Sequence, residues 1–166
     1  MRITRWGEYG IHCSIYIAQK STAIEPLVSA QDIADSQAIP VDYARQILQR
    51  LKNGGIIKTV RGPLGGYQLS RDALEISLAD ILRASEGDTF EIICDKNPLD
   101  NERCSANTTC NIKMIWHKLH DHIDGFLKEI SLKEMASQPC RNVSIGMFSQ
   151  NGNIGKDKEK PVRIGG

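Results

Sequence analysis

Residues 39–71, IPVDYARQILQRLKNGGIIKTVRGPLGGYQLSR, leave this chain few folds to choose from. Val41, Ala44, Ile47, Leu48 and Leu51 recur at spacings of three and four, which is the stripe of an amphipathic helix with one buried face. Asn53–Gly54–Gly55 ends that helix, because asparagine and glycine accept the backbone conformations a helix C-terminus needs. Ile56, Ile57, Thr59 and Val60 are strand formers, RGPLGG is a turn, and Tyr67–Leu69 suits a returning strand. The segment therefore predicts a helix followed at once by a two-stranded hairpin with a basic tip.

Upstream, SAQDIADS over 29–36 starts with Ser29 as N-cap and Asp32 three places on, a capping-box-like start for a second short helix. Two short helices and then a hairpin describe a winged helix-turn-helix. Residues 2–19 read as one further helix, and SLADILRA over 77–84 as another, ended by Glu86–Gly87. The expected fold is mainly α with a small β-hairpin: a winged helix-turn-helix plus a long dimerisation helix.

From Asp88 to Cys110 periodicity fades and Asp, Asn, Pro, Thr and Cys accumulate, as in a loop. Beyond it Ile112, Ile115, Trp116, Leu119, Ile123, Phe126, Leu127 and Ile130 form an apolar stripe along a long helix. Such a stripe outside a compact domain needs a covering surface. A second copy of the chain, giving a homodimer, is expected ahead of packing on its own domain. From Gln138 the chain turns to Gly, Asn, Ser and Lys with the run KDKEK, a flexible tail. The expected units are a DNA-binding domain over 1–87, a cysteine loop over 88–110, a dimerisation helix and helical segment over 111–138, and a tail over 139–166.

Net charge is only +1, but residues 1–71 hold 9 Lys/Arg against 5 Asp/Glu, so the front half is basic and permits an anionic partner. No apolar run is long enough to span a membrane and the N-terminus lacks a secretory pattern, so a cytoplasmic protein without membrane contact is expected. In such a reducing compartment, five cysteines read as thiols or metal ligands rather than a disulfide framework.

Double-stranded DNA is the partner that this shape suits. Asp42, Tyr43, Arg45, Gln46 and Gln49 lie off the apolar stripe of the third helix and can face a groove. Arg45 suits guanine and Gln46 adenine. Arg61 at the hairpin tip suits a narrow minor groove. Gly62, Gly65 and Gly66 allow close approach to phosphate, and Ser29, Gln31, Arg50 and Tyr67 complete the candidate contact set. The competing reading is a winged helix used for protein contacts. An enzyme is not expected: RGPLGG lacks the Lys-Ser/Thr of a phosphate loop, and no nucleophile–base pair stands out.

Cys94, Cys104 and Cys110 lie within 17 residues, with nine residues between the first two and five between the last two. The tight CxxC pairs of zinc sites are absent. Such spacing suits wrapping around an iron–sulfur cluster, or leaves three unligated thiols. Glu8 and His12 sit one helical turn apart, as an internal pair, a titrating pair or two metal ligands. Cys13 reads as core, His117, His120 and His122 as solvated, and Cys140 lies in the tail.

MRITRWGEYGIHCSIYIA, the 39–71 segment and SLADILRASEG together resemble the Rrf2 family of bacterial transcription regulators, over roughly residues 1–138. The resemblance implies a homodimeric winged-helix DNA binder, in many members controlled by an iron–sulfur cluster on three loop cysteines. By that resemblance Cys94, Cys104 and Cys110 are the thiolate ligands, the gap after Cys94 being longer than usual. Some members add a His three residues after the last cysteine, where this chain has Lys113. Others use a carboxylate, or a carboxylate and a His, from the first helix, which Glu8 and His12 match. A 2Fe–2S cluster is implied first, with 4Fe–4S as the alternative. The sensed signal is iron, nitric oxide or redox state, and the rival within the family is a cluster-free thiol sensor. Arg45 stands where some members carry an acidic residue, and Leu64 where the wing commonly has Gly.

Overall fold

A computed structural model describes residues 3–20, 27–62, 65–88, 92, 100, 104 and 110–137. Cys94, Cys140, most of the cysteine loop, the wing residues 63–64 and the tail lie outside the described residues.

Helix α1 (Arg5–Lys20) is followed by α2 (Ala30–Gln37) and α3 (Val41–Asn53). Strands β1 (Ile57–Val60) and β2 (Gly66–Leu69) then pair antiparallel, Ile57 opposite Leu69 and Val60 opposite Gly66. Helix α4 (Leu78–Glu86) precedes the loop, and α5 (Asn111–Glu129) and α6 (Leu132–Ser137) follow it. The winged helix-turn-helix is thus present, and so is the long helix. Among the described residues, no helix is long and apolar enough to cross a membrane.

Local chemistry explains the starts. Ser29 caps α2 as expected: its hydroxyl accepts from the Asp32 amide while the Asp32 carboxylate accepts from the Ser29 amide. Ser77 and Asp80 build the same box at α4. Burial works against the Asp80 carboxylate, yet the bonds from Ser77 and the guanidinium of Arg71 hold its pKa below the usual carboxylate value. Ala38, between α2 and α3, takes a left-handed conformation (φ 53°), which turns the chain sharply enough to lay α3 across α2.

The stripe of α3 does what its spacing predicts: Ala44, Ile47, Leu48 and Leu51 are fully buried. They meet Ile33 of α2, Ile56 and Ile57 at the hairpin root, Ile76 and Ile81, and Cys13 and Ile17 of α1. Burial of the Cys13 thiol pushes its pKa up to about 12, so it is core and not a reactive thiolate. The two buried serines are satisfied within their own helices: Ser14 donates to the Gly10 carbonyl and Ser85 to that of Ile81.

The core does not stop at residue 87. Leu132 is fully buried in the same cluster. Its amide donates to the Ile76 carbonyl at 2.7 Å, and the Leu78 amide donates to Ile130 at 2.8 Å. The base of α5 is also held to α4, where Ile123 and Leu127 pack on Ala79 and Leu82 and Asp124 pairs with Arg83 at 3.3 Å. The expected stripe therefore divides. Ile123 and Leu127, assigned from spacing to a seam between copies, pack within their own chain, Leu127 being 8% exposed, while Ile130 is held through its carbonyl, which accepts from the Leu78 amide. Ile112, Ile115, Trp116, Leu119 and Phe126 stay uncovered, from 42% to 63% exposed. A helical period identifies which residues share a face and does not say what covers each turn of it.

Candidate nucleic-acid interface

On α3 the face opposite the core carries Asp42, Arg45, Gln46 and Gln49, all exposed. Three of these side chains are tethered along the helix: Arg45 pairs with Asp42 at 3.0 Å, and Gln49 donates to the Asn53 side chain at 2.9 Å. An exposed pair of this kind is worth at most about 1 kcal/mol, so Arg45 can leave Asp42 for a base or phosphate at little cost. Gln31 on α2 is exposed and donates to Asp35 at 2.9 Å. The Ser29 hydroxyl already serves the capping box and donates to Asp32 at 2.6 Å.

At the wing, β1 presents exposed Lys58, Thr59 and Val60 and leads to exposed Arg61. Gly62 has φ 142°, a region closed to side chains that carry a Cβ, so glycine there is a condition of the turn. The Gly65 amide closes the turn by donating to the Gly62 carbonyl at 2.9 Å. Tyr67 is half-buried and joins the wing to the segment before α2: its amide donates to the Val28 carbonyl at 2.8 Å, and Val28 donates back at 3.0 Å, with Gly66 beside it. Tyr67, opposite Thr59 in the hairpin, is thus tied by its backbone to the segment before α2.

Two of the expected DNA contacts are engaged by the protein itself. Tyr43 is half-buried beneath α1, its ring 4.6 Å from Trp6 and edge-on to Tyr9 at 5.4 Å between centroids. Arg50 lays its guanidinium over the Trp6 ring at 4.1 Å and donates to the Ser85 carbonyl at 2.7 Å. These side chains fasten α3 to α1 and α4 rather than projecting freely. Spacing on α3 alone cannot reveal this, because Trp6 and Ser85 are distant in sequence.

The candidate metal ligands are placed as follows. Glu8 and His12 are exposed on the side of α1 away from buried Gly7, Gly10, Cys13 and Ile17, one turn apart. Cys104 is half-buried in a turn, its amide donating to Asp100 at 2.9 Å, and Cys110 is exposed at the N-cap of α5. Among the described residues, no three His, Cys, Asp or Glu side chains come together as a metal site within one chain. His122 contacts the Lys118 carbonyl at 3.0 Å, while His117 and His120 are half-buried rather than fully solvated.

A family model described as Rrf2, iron-dependent transcriptional regulator, matches residues 3–138. The HTH-type transcriptional regulator IscR of Photorhabdus laumondii is 34% identical over 137 residues, 82% of this chain and 80% of that protein. Among solved structures, the oxidised form of Staphylococcus aureus CymR superposes with a TM-score of 0.61 at 30% identity, covering 84% of this chain and 98% of that one. The T. potens IscR structure gives a TM-score of 0.61 at 27% identity, covering 81% and 85%.

Proposed function

Since the chain belongs to the Rrf2 family of transcriptional regulators, we propose that it works as a homodimeric repressor on a double-stranded DNA operator, controlled by an iron–sulfur cluster. It is a regulator rather than an enzyme. The observation that carries the DNA reading is the open face of α3, where Arg45, Gln46 and Gln49 stand exposed beside a basic wing ending in Arg61. Side chains of these types can read base edges in a major groove while the wing grips the adjacent backbone.

The test uses the tightest duplex that wild-type protein selects from a random library. Arg61→Ala should weaken binding to it by about 1–3 kcal/mol, and affinity should fall steeply with salt as phosphate contacts release counterions. Unchanged affinity on fluorescence anisotropy would remove the wing from the interface.

The donor chemistry of Glu8, His12, Cys104 and Cys110, with Cys94, fits a cluster. Among the described residues these groups are not gathered within one chain, so the set is closed in the dimer: the first helix of one subunit with the cysteine loop of the other. When bound, the cluster supplies a centre that iron supply, nitric oxide or redox state can alter. Carboxylate and imidazole donors hold iron less tightly than thiolate does, which suits a labile sensor. Anaerobically purified protein should carry iron and sulfide, 2Fe–2S first and 4Fe–4S as the alternative. Glu8→Ala and His12→Ala should each change its visible spectrum.

A second reading has its own support. The likeness to the oxidised form of S. aureus CymR, together with accessible Cys104 and Cys110, suits a cluster-free regulator whose thiols sense oxidation. Colourless anaerobic protein whose DNA binding changes with peroxide would favour it. Spectra identical to wild type in both ligand variants would remove Glu8 and His12 as ligands.

A further inference from the structure

Helix α1 begins with a capping box that its own sequence does not complete. Thr4 is in the N-cap position, and its hydroxyl accepts from the Trp6 amide at 3.2 Å. In a complete box the third helical residue is Glu or Gln, whose side chain reaches back to the N-cap amide. Here that residue is Gly7. Its role is taken by Glu86, the last residue of α4, whose Oε1 accepts from the Thr4 amide at 2.6 Å and from the Gly7 amide at 2.8 Å. A Cβ at position 7 would collide with that same oxygen, so glycine makes room for the distant carboxylate. The negative charge also lies at the positive end of the α1 dipole.

The contact closes a ring through three helices. From Glu86 it runs to the start of α1; from there Trp6 and Tyr9 pack on Tyr43 of α3, and Trp6 stacks under Arg50. Arg50 returns to α4 at the Ser85 carbonyl, the residue before Glu86. Tyr43 and Arg50 share α3 with Arg45, Gln46 and Gln49, the residues read above as DNA contacts. Loss of the Glu86 bonds leaves two amides at the start of α1 without these acceptors, and the first turn of a helix frays when its donors lose their partners. Trp6 and Tyr9 lie in and beside that turn.

We propose that Glu86 is a positioning residue for DNA recognition: by capping α1 from α4 it fixes Trp6 and Tyr9, and through them the setting of α3 on the operator. The proposal rests on α3 being the DNA-reading helix.

Full-length Glu86→Ala, Glu86→Gln, Arg45→Ala and Arg61→Ala are compared with wild type at a temperature where thermal melts show all of them folded. Each is titrated with the selected duplex and with an unrelated duplex of equal length. Glu86→Ala should bind the selected duplex at least tenfold more weakly and the unrelated one within twofold of wild type, since its exposed cations are untouched. Glu86→Gln keeps an oxygen acceptor and should recover to within threefold. Hydrogen exchange at Thr4 and Gly7 should accelerate in the alanine variant alone. A purely structural role would lower the melting temperature without changing the ratio of the two affinities.

The proposal is overturned if Glu86→Ala binds the selected duplex as wild type does, if it weakens both duplexes equally, or if Glu86→Gln is as weak as Glu86→Ala. Failure of the underlying reading has a different signature. If neither Arg45→Ala nor Arg61→Ala weakens the selected duplex, the DNA surface lies elsewhere, and the positioning role falls with it.

Discussion

Leu119→Asp is expected to sediment as a monomer and to lose tight operator binding. α5 exposes Ile112, Ile115, Trp116 and Leu119 in its first half and Phe126 near its end, and five large apolar side chains along one helix mark an interaction surface rather than scattered exposure. A carboxylate buried in a seam between two such faces costs several kcal/mol unless it is paired, more than most transient interfaces tolerate. A monomer keeps one recognition helix and one wing, so it reaches a single half-site. Ile123→Asp is the informative companion. Ile123 packs on Ala79, Leu82 and Leu127 of its own chain, so that variant should lose folding stability first. Sedimentation velocity across a concentration series checks both, and a Leu119→Asp protein that stays dimeric places the interface on another surface.

Leu82→Ala should cost about 2–5 kcal/mol in urea unfolding, the range for emptying a packed leucine site. Leu82 is 1% exposed, packs with Leu127 and Ile123 of α5, and stands beside Gly7 of α1. Truncation opens a void where three helices meet, and the glycine on one side has no side chain to move into it. The urea midpoint should fall with an unchanged slope if the variant unfolds as one unit. A cost below about 1 kcal/mol would mean that this junction relaxes freely, contrary to the packing around it.

The sequence announces the parts of this fold that depend on neighbours along the chain. The α3 stripe, its Asn-Gly-Gly stop, the hairpin and the Ser29 cap are all local patterns, and each lies where those patterns put it. Features set by distant residues stay hidden. Arg50 looks like one more cation on a DNA-facing helix until Trp6 and Ser85 meet it. Gly7 looks like a weak point in α1 until Glu86 occupies the space it leaves. A Thr-x-x-Gly start, where Glu or Gln would complete the cap, was the available hint that an acceptor comes from elsewhere. The α5 stripe shows the same limit: a spacing rule finds the apolar face, while its division between α4 and open surface depends on where the chain returns after Ile130. The site residues divide in the same way. Arg45, Gln46 and Gln49 are exposed because the buried stripe fixes their side of α3, and Arg61 because it lies at the turn of the hairpin, whereas the meeting of Glu8 and His12 with the cysteines depends on a second chain in the proposed assembly.

The attachment of α5 has a mechanical consequence. Its C-terminal end is stitched by the bonds from Leu78 to Ile130 and from Leu132 to Ile76, while its first turns contact solvent. That makes the helix a cantilever, clamped beside the DNA-reading domain and bearing Cys110 at its tip. Its 19 residues span about 28 Å at 1.5 Å per residue, so a tilt of only about 5° at the clamp carries the tip through roughly 2 Å. Displacement is largest at the Cys110 end and smallest at the clamp, beside Ile76 and Leu78 at the start of α4. In the proposed sensor, chemistry at the tip would act with mechanical advantage on the base, and stiffness at the clamp would set how small a change there reaches the rest of the domain.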